Sequence, residues 1–203
     1  MQASASTVAW TIARTGEVLA ELDPDVDALQ EVISAPGTET GDQVAALADR
    51  VGMTPILGMA TCRGIGSYGN AILTRLPVRD ASSVDIAILG HEPRCLMGVG
   101  LEHRDGYALR VMSTHLGVRV RERHAQLARC ARLFAAGDDT RPLLVMGDFD
   151  SWLPRGDVSS ELRKHLGSQL APRSFPARRP IFALDRLWSR PSAHAFTGGT
   201  RTP

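Results

Sequence analysis

The chain of 203 residues carries a formal net charge of +1, which argues neither for nor against a polyanionic partner. Its content of 43% hydrophobic and 22% charged residues is typical of a soluble globular protein. The length predicts one domain spanning residues 1–203, or at most two small ones, and we expect a monomer.

The cysteines Cys62, Cys95 and Cys130 lie far apart without CxxC spacing. This pattern argues against a zinc site or a disulfide framework and predicts thiols in a reducing compartment, the cytoplasm. No apolar run approaches the length of a membrane span.

Helical patterns and short apolar runs alternate along the chain. Helices are predicted over residues 17–22, from Thr40 or Asp42 to Gly52, and over 122–135 and 159–166. Strands are predicted over residues 25–32, 55–59, 70–74, 83–89, 95–101, 107–115, 142–148 and 183–188, with a hairpin signal at 102–106. In the first of these strands, Val26, Ala28 and Val32 are expected on one face. Together these elements predict a sheet-rich α/β domain with helices outside.

Several predicted strands end in charged or imidazole side chains, and the last contains one. Glu31, His115 and Asp148 end three strands, and Asp185 lies between apolar neighbours in "FALDRLW" (182–188). Each has a structural interpretation, as a turn former, a hydrogen-bonded histidine or an ion pair. Such groups are rarely buried unless they are paired or bind metal. Together they favour a site for Mg²⁺ or Mn²⁺ and metal-assisted phosphoryl chemistry.

Five motifs in order carry a resemblance to a known family: "ALQEV" (28–32), "YGNAILTRLPV" (68–78), "STHLG" (113–117), "MGDFD" (146–150) and "FALDRLW" (182–188). They resemble the endonuclease/exonuclease/phosphatase superfamily, which includes deoxyribonuclease-I-like nucleases and phosphatases. The resemblance covers about residues 15–190. The resemblance implies a four-layer α/β sandwich of two mainly antiparallel sheets with helices on the outer faces.

The resemblance also implies roles for residues of this chain. Glu31 corresponds to the family's metal-binding glutamate, with Mg²⁺ or Mn²⁺ as the cofactor. His115 corresponds to the histidine that contacts the phosphate or assists the leaving group. Asp148 corresponds to the aspartate that positions or activates the attacking water. The implied reaction is in-line attack of water on a phosphoester.

Further residues complete the implied site. Asp185 corresponds to the aspartate that orients a catalytic histidine, and Asn70 to a polar residue lining the site. Arg94, within "HEPRCLM" (91–97), is expected to bind substrate. Asp150 is also expected to be a catalytic residue, and it stands where the family has asparagine. A carboxylate accepts hydrogen bonds but cannot donate them, so Asp150 either binds metal or opposes a phosphate.

Two departures from the family pattern concern the ends of the chain. The family's first strand ends in asparagine, and "TVAWTIART" (7–15) offers only Thr11 near that position. The family closes with Ser-Asp-His, for which "PSAHAF" (191–196) offers only His194, with Ala193 in place of the aspartate. We therefore expect a domain incomplete at its C-terminus and with a deletion near its N-terminus.

Three functions compete. The first is Mg²⁺-dependent hydrolysis of a phosphoester by a nuclease, phosphodiesterase or phosphatase, intact or impaired by these departures. The second is a non-catalytic relative that binds a phosphorylated ligand. The third is an aspartyl-phosphate phosphatase that uses "DFD" (148–150). This class needs a lysine beside the phosphate, and the sole lysine, Lys164, lies in the next helix, too near to "DFD" in sequence to return over the site.

The substrate class stays open among nucleic acid, lipid headgroup and sugar phosphate. The arginines of residues 119–132 can meet phosphates, although the favoured interpretation is a solvated helix face that includes Glu122.

Overall fold

The computed structural model describes residues 5–37, 42–63, 66–136, 141–152, 157–176 and 178–191. The chain forms two compact units, Met1–Pro77 and Val78–Pro203. Both units combine helices with a mainly antiparallel sheet, so the protein belongs to the α/β class that the sequence predicts. No helix in the described ranges is long and apolar enough to cross a membrane.

The first unit contains two helices and three strands. Its elements are α1 (Ala5–Leu22), β1 (Val26–Ser34), α2 (Gln43–Val51), β2 (Thr54–Arg63) and β3 (Gly66–Thr74). The strands form an antiparallel sheet in the order β1-β3-β2. Buried residues of both helices, including Leu19 and Leu47, pack with Ala71 and Leu73 of the central strand in one apolar cluster.

Helix α2 begins and ends where its capping residues predict. The Asp42 side chain accepts a hydrogen bond from the backbone N–H of Ala45, which satisfies one of the unpaired donors at the helix start. Gly52 ends the helix in the left-handed conformation, with φ of 64°, which glycine adopts without a Cβ penalty. Both signals are local, and both predictions are confirmed.

The comparison of Thr11, in "TVAWTIART", with the asparagine that ends the family's first strand is wrong. Residues 7–15 lie inside α1, which runs without interruption to Leu22. The helical pattern of residues 17–22 continues towards the N-terminus, and the helix ends before Asp23, which has a φ of 46°, and Pro24. Thr11 therefore lies in a helix and does not end a strand.

The prediction that Val26, Ala28 and Val32 share one face of β1 is also wrong. Val26 and Ala28 pair with Thr74 and Ile72 of β3, but the register shifts between Leu29 and Val32. A bulge adds one residue to one strand and reverses the alternation beyond it. Val32 therefore lies on the face of Leu29, in the cluster with the helices.

The second unit is built on a six-stranded sheet. Its elements are β4 (Val78–Asp85), β5 (Cys95–Glu102), β6 (Ala108–His115), α3 (Val120–Ala136), β7 (Leu143–Asp148), α4 (Asp157–Leu162), β8 (Ser168–Leu170) and β9 (Asp185–Arg190). The strand order is β4-β5-β6-β7-β9-β8, and only β6 and β7 are parallel. Because α3 connects these two parallel strands, they end at the same edge of the sheet.

The core of the second unit lies between its helices and its sheet. Leu127 and Phe134 of α3 and Leu162 of α4 pack against Val145 and Trp188 of the sheet. The hairpin predicted at residues 102–106 joins β5 and β6. The short strand β8 was not predicted, since its three residues carry no periodic pattern.

Candidate active site

Three of the predicted site residues stand side by side at one edge of the second sheet. His115 and Asp148 are register partners on the parallel strands β6 and β7. Asp148 is in turn the register partner of Asp185 on the antiparallel strand β9. Hydrogen bonding between neighbouring strands therefore brings together residues that are distant in sequence.

The backbone around Asp148 is held closely by its neighbours. Gly147 has a φ of 144°, and a Cβ built there would overlap the carbonyl oxygen of Thr114 on β6. Phe149 is 1% exposed in the core, and its N–H donates to the Leu184 carbonyl. The turn of "GDFD" thus requires a glycine, anchors one apolar side chain and leaves the two aspartates at the strand end.

The side chains of His115, Asp148 and Asp150 form one cluster. Nε2 of His115 lies 3.4 Å from Oδ2 of Asp150 and 4.0 Å from Oδ2 of Asp148. The N–H of Asp150 donates to Oδ1 of Asp148 at 2.8 Å, and Asp150 adopts a φ of 47°. His115 and Asp150 are buried, while the Asp148 side chain is 26% exposed. The structure therefore adds Asp150 to the strand-end residues.

The pKa of Asp148 is raised above its usual range. Burial is the main cause, and the nearby carboxylates of Asp150 and Asp185 raise the pKa further. The N–H of Asp150 and the imidazole of His115 act in the opposite direction. A partly buried carboxylate with a raised pKa among other ionisable groups is typical of functional sites.

The donor atoms of this cluster fit a divalent cation. One ligand atom each from His115, Asp148 and Asp150 lies within 4.8 Å of the others. Carboxylate oxygens suit Mg²⁺ and Mn²⁺, and an imidazole nitrogen is accepted more readily by Mn²⁺ and later transition ions. Two carboxylates facing one imidazole also leave an excess of negative charge that a cation would offset.

Asp185 lies beside the cluster but outside this set of ligand atoms. Its side chain is exposed, and its N–H donates to Oγ of Ser174 at 3.3 Å. The next residue, Arg186, is 3% exposed, and its Nη2 donates to the Ser151 carbonyl at 2.9 Å. Arg186 therefore ties β9 to the segment after Asp150, a role that sequence analysis missed.

Glu31 and Asn70 face each other across the bulge of the first unit. The register shift of β1 lies between Leu29 and Val32, which pair with Ala71 and Gly69 on either side of Asn70. Glu31 is exposed with a φ of 57°, and Asn70 is 4% exposed. Positive φ is uncommon for glutamate, and bulges are over-represented next to active sites. The convergence of these two residues with His115 and Asp148 stays a prediction.

Other predicted residues have different surroundings. Arg94 is 6% exposed, and its Nη2 lies 3.1 Å from Oε2 of Glu92. Its role in substrate binding stays a prediction. Lys164 is exposed and paired with Glu161, which supports its rejection as the lysine of an aspartyl-phosphate site. His194, with Ala193, lies outside the described residues.

The interpretation of residues 119–132 as a solvated face fits Arg119, Arg121 and Arg132, which are exposed, but is wrong for Glu122. Glu122, Arg123 and Gln126 are 5%, 5% and 0% exposed, and they lie in the first turns of α3. The available signal was their spacing. Glu122 and Gln126 continue at four-residue steps into the buried Cys130 and then Phe134, which marks the inner stripe of a helix.

A comparison with protein families identifies the class. The model of the "Endonuclease/Exonuclease/phosphatase family" matches residues 10–203. The chain belongs to this family, whose members are hydrolases that act on phosphoesters. The resemblance drawn from the motifs is confirmed.

Curated relatives match only part of the chain. The uncharacterized protein YbhP of Escherichia coli is 32% identical over 130 residues, which is 61% of this chain and 51% of YbhP. The chain thus spans about half the length of the curated relatives it matches.

Two solved structures share the fold at low identity. The mannosyl-6-phosphatase Bt3783 of Bacteroides thetaiotaomicron has a TM-score of 0.72 at 13% identity, covering 91% of this chain and 78% of that one. TDP2 of D. rerio, complexed with a single-strand DNA product, has a TM-score of 0.67 at 17% identity, covering 90% and 77%.

Proposed function

We propose that this chain hydrolyses phosphoester bonds with a divalent cation, Mg²⁺ or Mn²⁺, held by His115, Asp148 and Asp150. The observation that carries the proposal is the meeting of these three side chains at the shared edge of β6 and β7. The family's chemistry and the donor set support the same conclusion. Glu31 is proposed as a further ligand, beside Asn70.

The residues have separate roles in the proposed reaction. Asp148 accepts a proton from the attacking water. Its side chain is 26% exposed at the strand end and is therefore open to solvent water. The N–H of Asp150 holds Oδ1 of Asp148 and so orients the carboxylate. A cation bound here would offset the charge on the phosphoryl oxygens.

His115 has a second proposed role, a hydrogen bond from Nε2 to the phosphate or the leaving group. Because Nε2 is the nitrogen that faces both aspartates, this role applies where the carboxylates alone hold the cation. Asp185, beside Asp148 in register, adds negative charge at the same edge. Arg94 is proposed to bind the phosphate with the guanidinium donors that its contact with Glu92 leaves available.

The substrate is proposed to be a phosphoester, with nucleic acid, lipid headgroup and sugar phosphate as alternatives. The structural neighbours support a broad choice, since one is named as a mannosyl-6-phosphatase and another was solved with a DNA product. We also propose that the protein is cytoplasmic and monomeric.

The test is hydrolysis of bis(p-nitrophenyl) phosphate and p-nitrophenyl phosphate, first with EDTA and then with Mg²⁺ or Mn²⁺. Asp148→Asn should lower the rate by about 10²–10⁴-fold, the usual contribution of a general base. Asp105→Asn is the matched control, since Asp105 is exposed in the β5–β6 turn at the opposite end of β6. It should retain full activity.

Two results would contradict the proposal. If Asp148→Asn hydrolyses the esters as fast as the wild type, the catalytic site lies elsewhere. If the wild type binds phosphate esters but hydrolyses none with any cation, the chain is a non-catalytic relative. Glu31→Ala, assayed in parallel, tests whether Glu31 contributes to cation dependence.

A further inference from the structure

The backbone just after His115 is held by buried side chains of α3. The N–H of Gly117 donates to Oε1 of Gln126 at 2.7 Å, and Gln126 is fully buried. Nη1 of Arg123 donates to the carbonyls of Gly117 and Val118 at 3.2 and 2.8 Å. Both polar groups of the Gly117 backbone are therefore bonded to side chains of one helix.

A buried carboxylate holds Gln126 in place. Nε2 of Gln126 donates to Oε1 of Glu122 at 3.2 Å, and Nδ1 of His91 lies 3.0 Å from Oε2 of the same carboxylate. A Cβ built at Gly117 would overlap the Glu122 carboxyl group, so the absence of a side chain there allows the close approach. We call His91, Glu122, Arg123 and Gln126 the Gly117 clamp.

The segment from His115 to Gly117 is short, and its backbone is hydrogen-bonded to elements on both sides. The N–H of Leu116 donates to the Asp148 carbonyl at 3.0 Å, and Leu116 is fully buried. One side of the segment is therefore held by β7, and the other by the clamp. Any shift of Gly117 would be transmitted through Leu116 to the position of His115.

Burying the polar side chains of the Gly117 clamp costs free energy. A glutamate, an arginine and a glutamine lose hydration on burial, and only well-made hydrogen bonds compensate for this loss. A helix could be packed here with apolar residues alone, as its later turns are by Leu127 and Phe134. The polar side chains are instead concentrated where α3 contacts the end of β6.

We propose that Glu122 and Gln126 are positioning residues, which hold the imidazole of His115 against Asp148 and Asp150 through Gly117. The inference rests on the proposed function, since it concerns the same site. Displacements of about 1 Å in catalytic groups can cost on the order of 100-fold in rate, so such support has a functional consequence.

The test compares Gln126→Met with Cys130→Ala. Methionine has similar volume but makes neither of the Gln126 hydrogen bonds. Cys130 is buried one turn further along the same helix and contacts the core instead of the clamp. The first measurement is the His115 Cε1–H resonance in a ¹H–¹³C spectrum, assigned by its disappearance in His115→Asn. The second is Mn²⁺ affinity by calorimetry.

Gln126→Met should move the His115 resonance and weaken Mn²⁺ binding by about tenfold or more, the usual effect of removing support from a metal ligand. Cys130→Ala should change neither, even where chemical denaturation shows an equal loss of stability. Glu122→Gln keeps an amide next to Gln126 and His91, and should retain most of the wild-type Mn²⁺ affinity. Glu122→Met, which removes the acceptor of the Gln126 amide, is compared with it if Gln126→Met does not fold.

An unchanged His115 resonance in Gln126→Met would overturn the proposal, as would equal effects of Gln126→Met and Cys130→Ala. If Gln126→Met does not fold, a changed His115 resonance and weaker Mn²⁺ binding in Glu122→Met, with wild-type values in Glu122→Gln, support the clamp. Wild-type values in both Glu122 variants overturn it. A wild type that hydrolyses no ester would contradict the proposed function alone, because the resonance of His115 is measured without substrate.

Discussion

Nε2 of His115 lies 3.4 Å from Oδ2 of Asp150, the last residue of the "GDFD" turn. The carboxylate can accept a hydrogen bond from the imidazole, and its backbone N–H supports Asp148 at the same time. Both functions depend on the φ of 47° at Asp150, which turns the chain back towards the strand end. Asp150 thus joins His115 and Asp148 in one cluster.

Replacing Asp150 with asparagine should have opposite effects on cation and anion binding. Mn²⁺ affinity should fall by about tenfold or more, because one of three ligands loses its charge. In EDTA, binding of phenyl phosphate should strengthen by roughly tenfold, since a like charge at about 4 Å costs on the order of 1–4 kcal/mol. Calorimetry measures both. Unchanged Mn²⁺ affinity would remove Asp150 from the metal site.

Gly147→Ala should destabilise the second unit strongly. A Cβ at this position would overlap the carbonyl oxygen of Thr114, so β6 and β7 would have to separate. Urea denaturation should show a loss above about 3 kcal/mol, from overpacking and left-handed backbone strain combined. Gly106→Ala separates the two effects. Gly106 has a φ of 83° and no atom within 4 Å of a built Cβ, so about 1–2 kcal/mol is expected.

Asp27→Asn should stabilise the protein at neutral pH. Oδ2 of Asp27 is buried without a hydrogen-bond partner among the described residues, and burial raises the pKa of this carboxyl group. Because the pKa of Asp27 is raised in the native state, the contribution of its protonated side chain to the free energy of unfolding is complete below the unfolded pKa of about 3.8. This contribution is lost as pH rises through the native pKa.

The free energy of unfolding of Asp27→Asn should therefore exceed that of the wild type by about 1–3 kcal/mol at pH 7 and by less at pH 3.5. Exposed Asp49, on α2 of the same unit, supplies the control Asp49→Asn, which should follow the wild type at both pH values. A constant difference between Asp27→Asn and the wild type across this range would show that Asp27 does not titrate abnormally.

The thiol of Cys130 should be unreactive in the folded protein. Burial raises its pKa to about 12, and the reactive thiolate is then a fraction of about 10⁻⁴ at pH 8. Burial also raises the pKa of the Cys95 thiol. In Cys62→Ser, Ellman's reagent should label neither thiol quickly at pH 8, and both immediately in guanidinium chloride. Fast labelling of the folded form would contradict the burial of these two cysteines.

Features that depend on neighbouring residues could be predicted from the sequence. Asp42 and Gly52 cap α2 because capping is a local hydrogen-bond and backbone effect. The strand ends at His115 and Asp148 were predicted from apolar runs that stop at charged side chains. The motifs around them were also sufficient to recognise the family.

Sequence reasoning failed where a non-local contact decides the outcome. The bulge at Glu31 reverses the faces of β1 through its pairing with β3, so a uniform alternation placed Val32 on the wrong side. Thr11 was compared with the end of the family's first strand, although residues 7–15 continue the helix that ends at Leu22. Glu122 was assigned to a solvated face because its charge outweighed its position on the inner stripe of α3.

The sequence by itself determined the α/β class, the family and the identity of the ionisable residues, because these follow from local patterns and motifs. Only the tertiary structure decided that His115, Asp148 and Asp150 share one cluster, that Asp185 stands beside it, and that buried side chains of α3 hold the backbone after His115. Strand order and register set these distances, and the hydrogen bonds that establish them join segments far apart in the chain.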